Sequence, residues 1–223
     1  MRIPGRTLRL AHRGDWRAAP ENSLEAMREA MAVAACDGLE FDVRSSLDGV
    51  PVILHDETLQ RVQGRPEAVV ELTAAALAEV GVPTLAAVLE AADRRAFLDI
   101  ELKTVPGPGI IEILAAGRGP ELTGAVLSSF HDAALLKIAR LAPSWPRWLN
   151  SETLGDADLA RAIEFGCIGI AGWWESIDAD AMDRARGAGL EVAAYTVRDR
   201  ATFDRLANLG VSAVCVEDAA LDG

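Results

Sequence analysis

The sequence predicts an α/β fold, a TIM (β/α)8 barrel with a short β-hairpin extension after the second strand. Three observations carry this. Eight short apolar runs alternate with amphipathic stretches along the chain. Gly38, Gly124, Gly166, Gly189 and Gly210 each fall just before one of those runs, where a helix must end and the chain must turn. Charged and polar residues gather where the first three strands would end. Alternating β and α elements imply a parallel sheet, and eight repeats close into a barrel. No G-x-G-x-x-G turn follows the first strand, which weakens the doubly wound open sheet as an alternative. With 223 residues, 50% of them hydrophobic, the chain can bury one core and is short for two, so residues 1–223 are read as one domain.

The first strand is residues 8–11, followed by a helix at 23–35. The second strand is 39–43. Residues 50–54 form another strand with no helix before it, and Asp48-Gly49 is a two-residue hairpin signal. That turn pairs Leu47 with Val50, Ser45 with Val52 and Asp42 with His55, bringing Glu40, Asp42 and His55 to one face. Helices at 72–80 and 85–92 lead to the third barrel strand, 97–102, whose Asp99, Glu101 and Lys103 alternate with apolar residues. Strands at 125–130, 147–150, 167–172, 191–197 and 213–217 then alternate with helices at 110–116, 133–141, 156–165, 179–188 and 202–209.

The formal net charge of −12 argues against nucleic-acid partners and against stable association with an anionic membrane. Positive charge for a small anionic substrate must then be local. Cys36, Cys167 and Cys215 have no metal-like spacing and read as small buried hydrophobes in a reducing compartment. The first ten residues hold no apolar run of signal-peptide length, and no run approaches a membrane span. The expectation is a cytoplasmic protein.

Active sites of TIM barrels lie at the C-terminal ends of the strands. Glu40, Asp42 and Glu101 fall there without a cysteine ligand, a donor set suited to a hard divalent cation, Mg²⁺ or Ca²⁺, with Mn²⁺ possible. A cluster salt-bridged to Arg13 and Lys103 is the alternative. His12 and His55 reach the same place, and imidazole is the side chain best suited to proton transfer near neutral pH. His131 is read as structural. Lys103 is one of two lysines in an arginine-rich chain, which suggests a need for a compact point charge. Asn22 either helps the site or caps the helix that follows. Trp173 and Trp174 follow the sixth strand, and Trp173 could offer a flat wall to a substrate's leaving group.

These residues resemble the glycerophosphodiester phosphodiesterase family. The matching pieces are Ala11-His12-Arg13-Gly14, Pro20-Glu21-Asn22-Ser23, Gly38-Leu39-Glu40-Phe41-Asp42-Val43, Asp48-Gly49-Val50-Pro51-Val52-Ile53-Leu54-His55-Asp56 and Asp99-Ile100-Glu101-Leu102-Lys103, with weaker echoes up to residues 210–218. The resemblance implies a TIM barrel, a divalent cation and hydrolysis of glycerophosphodiesters to glycerol 3-phosphate and an alcohol. It implies His12 and His55 as the catalytic pair; apart from the resemblance, the working mechanism takes His12 as base and His55 as acid. The resemblance further implies Arg13 and Lys103 at the phosphate, and Glu40, Asp42 and Glu101 as metal ligands. The sequence departs from the family pattern at Ser23, Tyr195, Arg198 and Val216-Glu217-Asp218, and residues 57–82 are short for a lid. Ser23 is a mild change; the other departures fall on the alcohol side, so the site is expected to be strict for phosphate and loose for alcohol. The rival readings are a related barrel phospholipase and a non-catalytic phosphodiester-binding barrel.

Overall fold

The structure is a computed structural model that describes residues 5–223; the reading of the first ten residues therefore lies partly outside the described residues. Among the described residues there are nine strands: β1 (Leu8–His12), β2 (Gly38–Ser45), β3 (Pro51–Ile53), β4 (Phe97–Leu102), β5 (Ala125–Ser129), β6 (Arg147–Ser151), β7 (Gly169–Trp173), β8 (Glu191–Val197) and β9 (Ala213–Val216). Eight are parallel and closed into a ring in the order β1-β9-β8-β7-β6-β5-β4-β2, the β1–β2 pairing completing it. The ninth, β3, runs antiparallel on β2 outside the ring. This is the expected TIM barrel with its extension.

Strand alternation divides the core. Leu39, Phe41 and Val43 of β2 and Leu98, Ile100 and Leu102 of β4 face outward into the main apolar cluster beneath the helices. The opposite face of each strand points into the barrel. There Phe97 and Trp148 pack with ring centroids 6.0 Å apart, and Leu8, Leu10, Val126 and Ala213 join them in a second cluster. Above this plug the interior turns polar. A third cluster, with Val52, Leu59, Leu77 and Val82, lies under the extension. Gly38 sits where β2 meets β4, and a Cβ there would fall 1.9 Å from the Phe97 carbonyl oxygen.

Three local expectations are corrected. The hairpin is not a two-residue turn: Val43 pairs with Ile53, Arg44 with Val52 and Ser45 with Pro51. The Ser46 hydroxyl donates to Asp48 Oδ1 at 2.6 Å and accepts from the Val50 N–H at 3.0 Å, so residues 46–50 all belong to the loop. The register is therefore one residue away from the expected one, and Leu54, not His55, bonds to the Asp42 carbonyl. The strand expected at 167–172 begins at Gly169, because the Cys167 N–H still closes the preceding helix on Ala162 O. The first helix spans Leu24–Ala32 and Ser23, not Asn22, is its N-cap. Among the described residues no helix is long and apolar enough to cross a membrane.

Candidate active site

The loop after β1 places the first group of side chains. Arg13 and Asn22 both adopt left-handed backbone, φ 59° and 60°. The Asn22 N–H donates to Arg13 O at 2.9 Å, and the Arg13 N–H donates to Glu40 O at 2.9 Å. Between them Gly14 lies against the following helix: at φ 83°, a Cβ would come 2.6 Å from the Ala26 carbonyl carbon. A close approach and a positive φ together restrict that position to glycine.

Glu40, Asp42 and Glu101 offer ligand oxygens that all lie within 4.8 Å of one another. Burial and repulsion from Asp42 and Glu101 push the Glu40 carboxyl well above its ordinary value. Burial and Asp42 likewise raise Glu101, against the pull of Lys103. For Asp42 burial is outweighed by Arg13, Lys103, His55 and Asn22, and the carboxyl is held low. Arg13 Nε lies 3.1 Å from Asp42 Oδ2, Lys103 Nζ lies 2.7 Å from Glu101 Oε1 and 3.5 Å from Asp42 Oδ1, and Asn22 Nδ2 donates to Asp42 Oδ2 at 2.8 Å. Two basic groups thus face three carboxylates, and Asp42 Oδ1 is buried without a hydrogen bond. An excess of buried carboxylate, with one Asp42 oxygen reached only by the Lys103 ion pair and no hydrogen bond, fits a cation: these residues could hold a metal, and the all-oxygen set favours a hard one.

Both histidines stand over this cluster. His12 Nδ1 lies 2.5 Å from Glu217 Oε1, and its Nε2 lies 3.8 Å from Glu40 Oε2. His55 Nδ1 lies 2.7 Å from Asp56 Oδ1. Although the register slipped, β3 ends at Ile53 and the chain bends, so His55 still lines the cavity. Burial lowers the His55 imidazole below its usual value against the pull of Asp42 and Asp56.

The cavity enclosed by these groups measures about 200 Å³ and continues down to Phe130, Asn150 and Tyr195. A wider groove of about 630 Å³ opens beside it, lined by Trp16, Arg61, Trp173 and Arg198 as well as His12 and Arg13. Trp173, 40% exposed, belongs to this groove and not to the inner cavity. His131 lines neither. Sequence reasoning missed Glu217 as a partner of His12, and also Asn150 and Phe130. A carboxylate directly following a barrel strand was the available signal for Glu217.

The sequence profile of the glycerophosphoryl diester phosphodiesterase family matches residues 12–221. The chain belongs to that family. It is a phosphoric diester hydrolase. It is 27% identical to a glycerophosphodiester phosphodiesterase of Caldanaerobacter subterraneus subsp. tengcongensis, over 96% of this chain and 95% of the relative. Among solved structures it is similar to a phosphodiesterase of Oleispira antarctica in complex with its product sn-glycerol-3-phosphate, with TM-score 0.78, 27% identity and 95% and 93% of the two chains covered. A glycerophosphodiester phosphodiesterase from Agrobacterium tumefaciens is 26% identical with TM-score 0.83, over 97% of this chain and 98% of that one. The motif residues from His12 to Lys103 fall within the matched span.

Proposed function

We propose that residues 1–223 form one catalytic domain, a cation-dependent phosphodiesterase that hydrolyses glycerophosphodiesters to glycerol 3-phosphate and an alcohol. The observation that carries the reading is the meeting of His12 and His55 above three clustered carboxylates, with Arg13 and Lys103 at the same cavity. Family membership and the product named for the Oleispira antarctica structure support the substrate class.

A divalent cation held by Glu40, Asp42 and Glu101 would supply Lewis-acid stabilisation of charge on the phosphoryl oxygens. Arg13 and Lys103 bring fixed positive charge to the same oxygens. Their own pKa values are raised, because nearby carboxylates outweigh burial, so both stay charged at any working pH. Each histidine has its Nδ1 on a carboxylate, which leaves Nε2 to move protons. One imidazole takes the proton of the nucleophile and the other delivers a proton to the leaving oxygen. Asn22 orients Asp42, and Trp173 walls the groove where the alcohol departs.

Turnover of glycerophosphocholine tests the reading. Glycerol 3-phosphate should appear, chelator should abolish it, and Mg²⁺, Ca²⁺ or Mn²⁺ should restore it. Full activity after exhaustive chelation would reject the cation, and no hydrolysis of any glycerophosphodiester would reject the substrate class. A second reading, a phosphodiesterase acting on an amphiphile with an acyl chain, is favoured by the exposed rings of Trp16, Phe130 and Trp173. Lysophosphatidylcholine in the same assay separates the two.

A further inference from the structure

The ring register brings the end of β1 beside the end of β9: Ala11 pairs with Val216, so His12 and Glu217 follow in step. Glu217 is 6% exposed and would be a costly buried charge without partners. It has two. His12 Nδ1 takes Oε1 at 2.5 Å, and Arg198 Nε donates to Oε2 at 2.7 Å. The Glu217 N–H is itself fixed on Val197 O at 2.9 Å, next to Arg198. Burial would raise Glu217, yet the bonds to His12 and Arg198 hold it below its ordinary value, so it is an anion whenever the site works.

We propose that Glu217 is a positioning residue for His12, fixing the ring as the Nδ1–H tautomer with a bare Nε2 facing the cavity, and that Arg198 holds Glu217 in that pose. A neutral imidazole carries one N–H, and a carboxylate can only accept it. Two carboxylates compete for that hydrogen. Glu40 Oε2, 3.8 Å from Nε2, would draw it to the wrong nitrogen. Glu217, closer by more than an ångström at 2.5 Å, draws it to Nδ1. The side chain of Arg198 is 68% exposed, so its ion pair is screened and it acts only by steering Glu217.

This inference rests on His12 as a proton carrier, and the test separates the two. The chain has three histidines, so ¹⁵N-histidine NMR of the Mg²⁺-supplied wild type resolves each ring, with assignments from the His55→Gln and His131→Gln variants. The neutral His12 ring is expected as the Nδ1–H tautomer; an Nε2–H ring overturns the proposal without any reference to turnover. Glu217→Gln is expected to lower kcat about 10- to 100-fold while KM stays within about threefold. Glu217→Asp should recover part of kcat, and Arg198→Ala should cost only a few-fold. Glu217→Gln with kcat within about twofold of wild type, or with its loss confined to KM, overturns the proposal. Full activity of His12→Ala instead rejects the reading of the site, whatever the tautomer.

Discussion

Glu40 and Glu101 are carboxyls whose proton affinity is raised by burial and by Asp42. In the cation-free protein the folded state therefore holds these protons more tightly than the unfolded chain does. Stability from this pair is present below the ordinary Glu value of 4.5 and is lost as pH rises through the raised values. A cation bound by these carboxylates would remove that loss. Adding Mg²⁺ or Ca²⁺ near pH 8 should stabilise the protein by about 2.7 kcal/mol at a hundredfold excess over Kd. The increment should shrink as pH falls toward the carboxylate range, since protons compete for the ligands. Urea unfolding with and without cation, at acid and neutral pH, measures it; a pH-independent increment would place the cation elsewhere. Glu40→Gln should weaken cation binding sharply while leaving the cation-free fold as stable as wild type or more so, which titration calorimetry and unfolding can compare. At the histidines, His12→Ala and His55→Ala should each lower kcat about 10² to 10⁴-fold. If they serve one step, the double variant loses far less than the product of the two losses. A multiplicative loss would assign them to separate steps. The acids were legible from their alternation along two strands. Glu217 was not, because its meaning depends on which strand lies beside β1.

Elements had to place these residues, and two backbone approaches are decisive. Gly38 faces the Phe97 carbonyl with no room for a Cβ, and that obstacle is main chain that cannot rotate away. Gly38→Ala should force β2 from β4 at the foot of the strand that carries Glu40 and Asp42. The cost is about 1–3 kcal/mol or more, read as a shift in the denaturation midpoint; a wild-type midpoint would contradict the packing described. The hairpin shows where local rules ran out. Asp48-Gly49 correctly marked a turn, and Gly49 has φ 76°. Yet the Ser46 hydroxyl captured the loop's polar groups, and Pro51, lacking an N–H, could not extend the ladder. The slip should have turned His55 away. The end of β3 two residues earlier released it, so the expected destination was reached by a different path. Arg198 and Glu217 pair with each other, a coupling invisible until β8 and β9 are neighbours.

At the scale of the whole molecule, the barrel was legible because eight alternations with glycine stops leave few other closed arrangements. What periodicity could not give was the division of space at its mouth. The inner cavity is about 200 Å³ and the groove beside it about 630 Å³. If the inner cavity takes the phosphate and the groove the alcohol, as proposed, the small polar chamber would hold phosphate to strict geometry, while the wide groove would bury little of the leaving group and discriminate weakly. Values of kcat/KM for glycerophosphocholine, glycerophosphoethanolamine, glycerophosphoglycerol and glycerophosphoinositol should fall within about tenfold, a spread of about 1.4 kcal/mol. A thousandfold preference would point to a reader of the alcohol elsewhere in the groove. The pairing of β1 with β9 has its own consequence in time. A ribosome delivers β1 early and β9 only after every other strand of the ring. Until residues 213–217 leave the exit tunnel, β1 keeps an unpaired edge and His12 lacks Glu217. On the proposed role of Glu217 the nascent chain should stay inactive until β9 emerges, and its exposed edge is the surface a chaperone would meet. Stalled chains ending at residue 210 should be hydrolytically dead and protease-sensitive, and chains with residue 217 free of the tunnel should gain both activity and protection together.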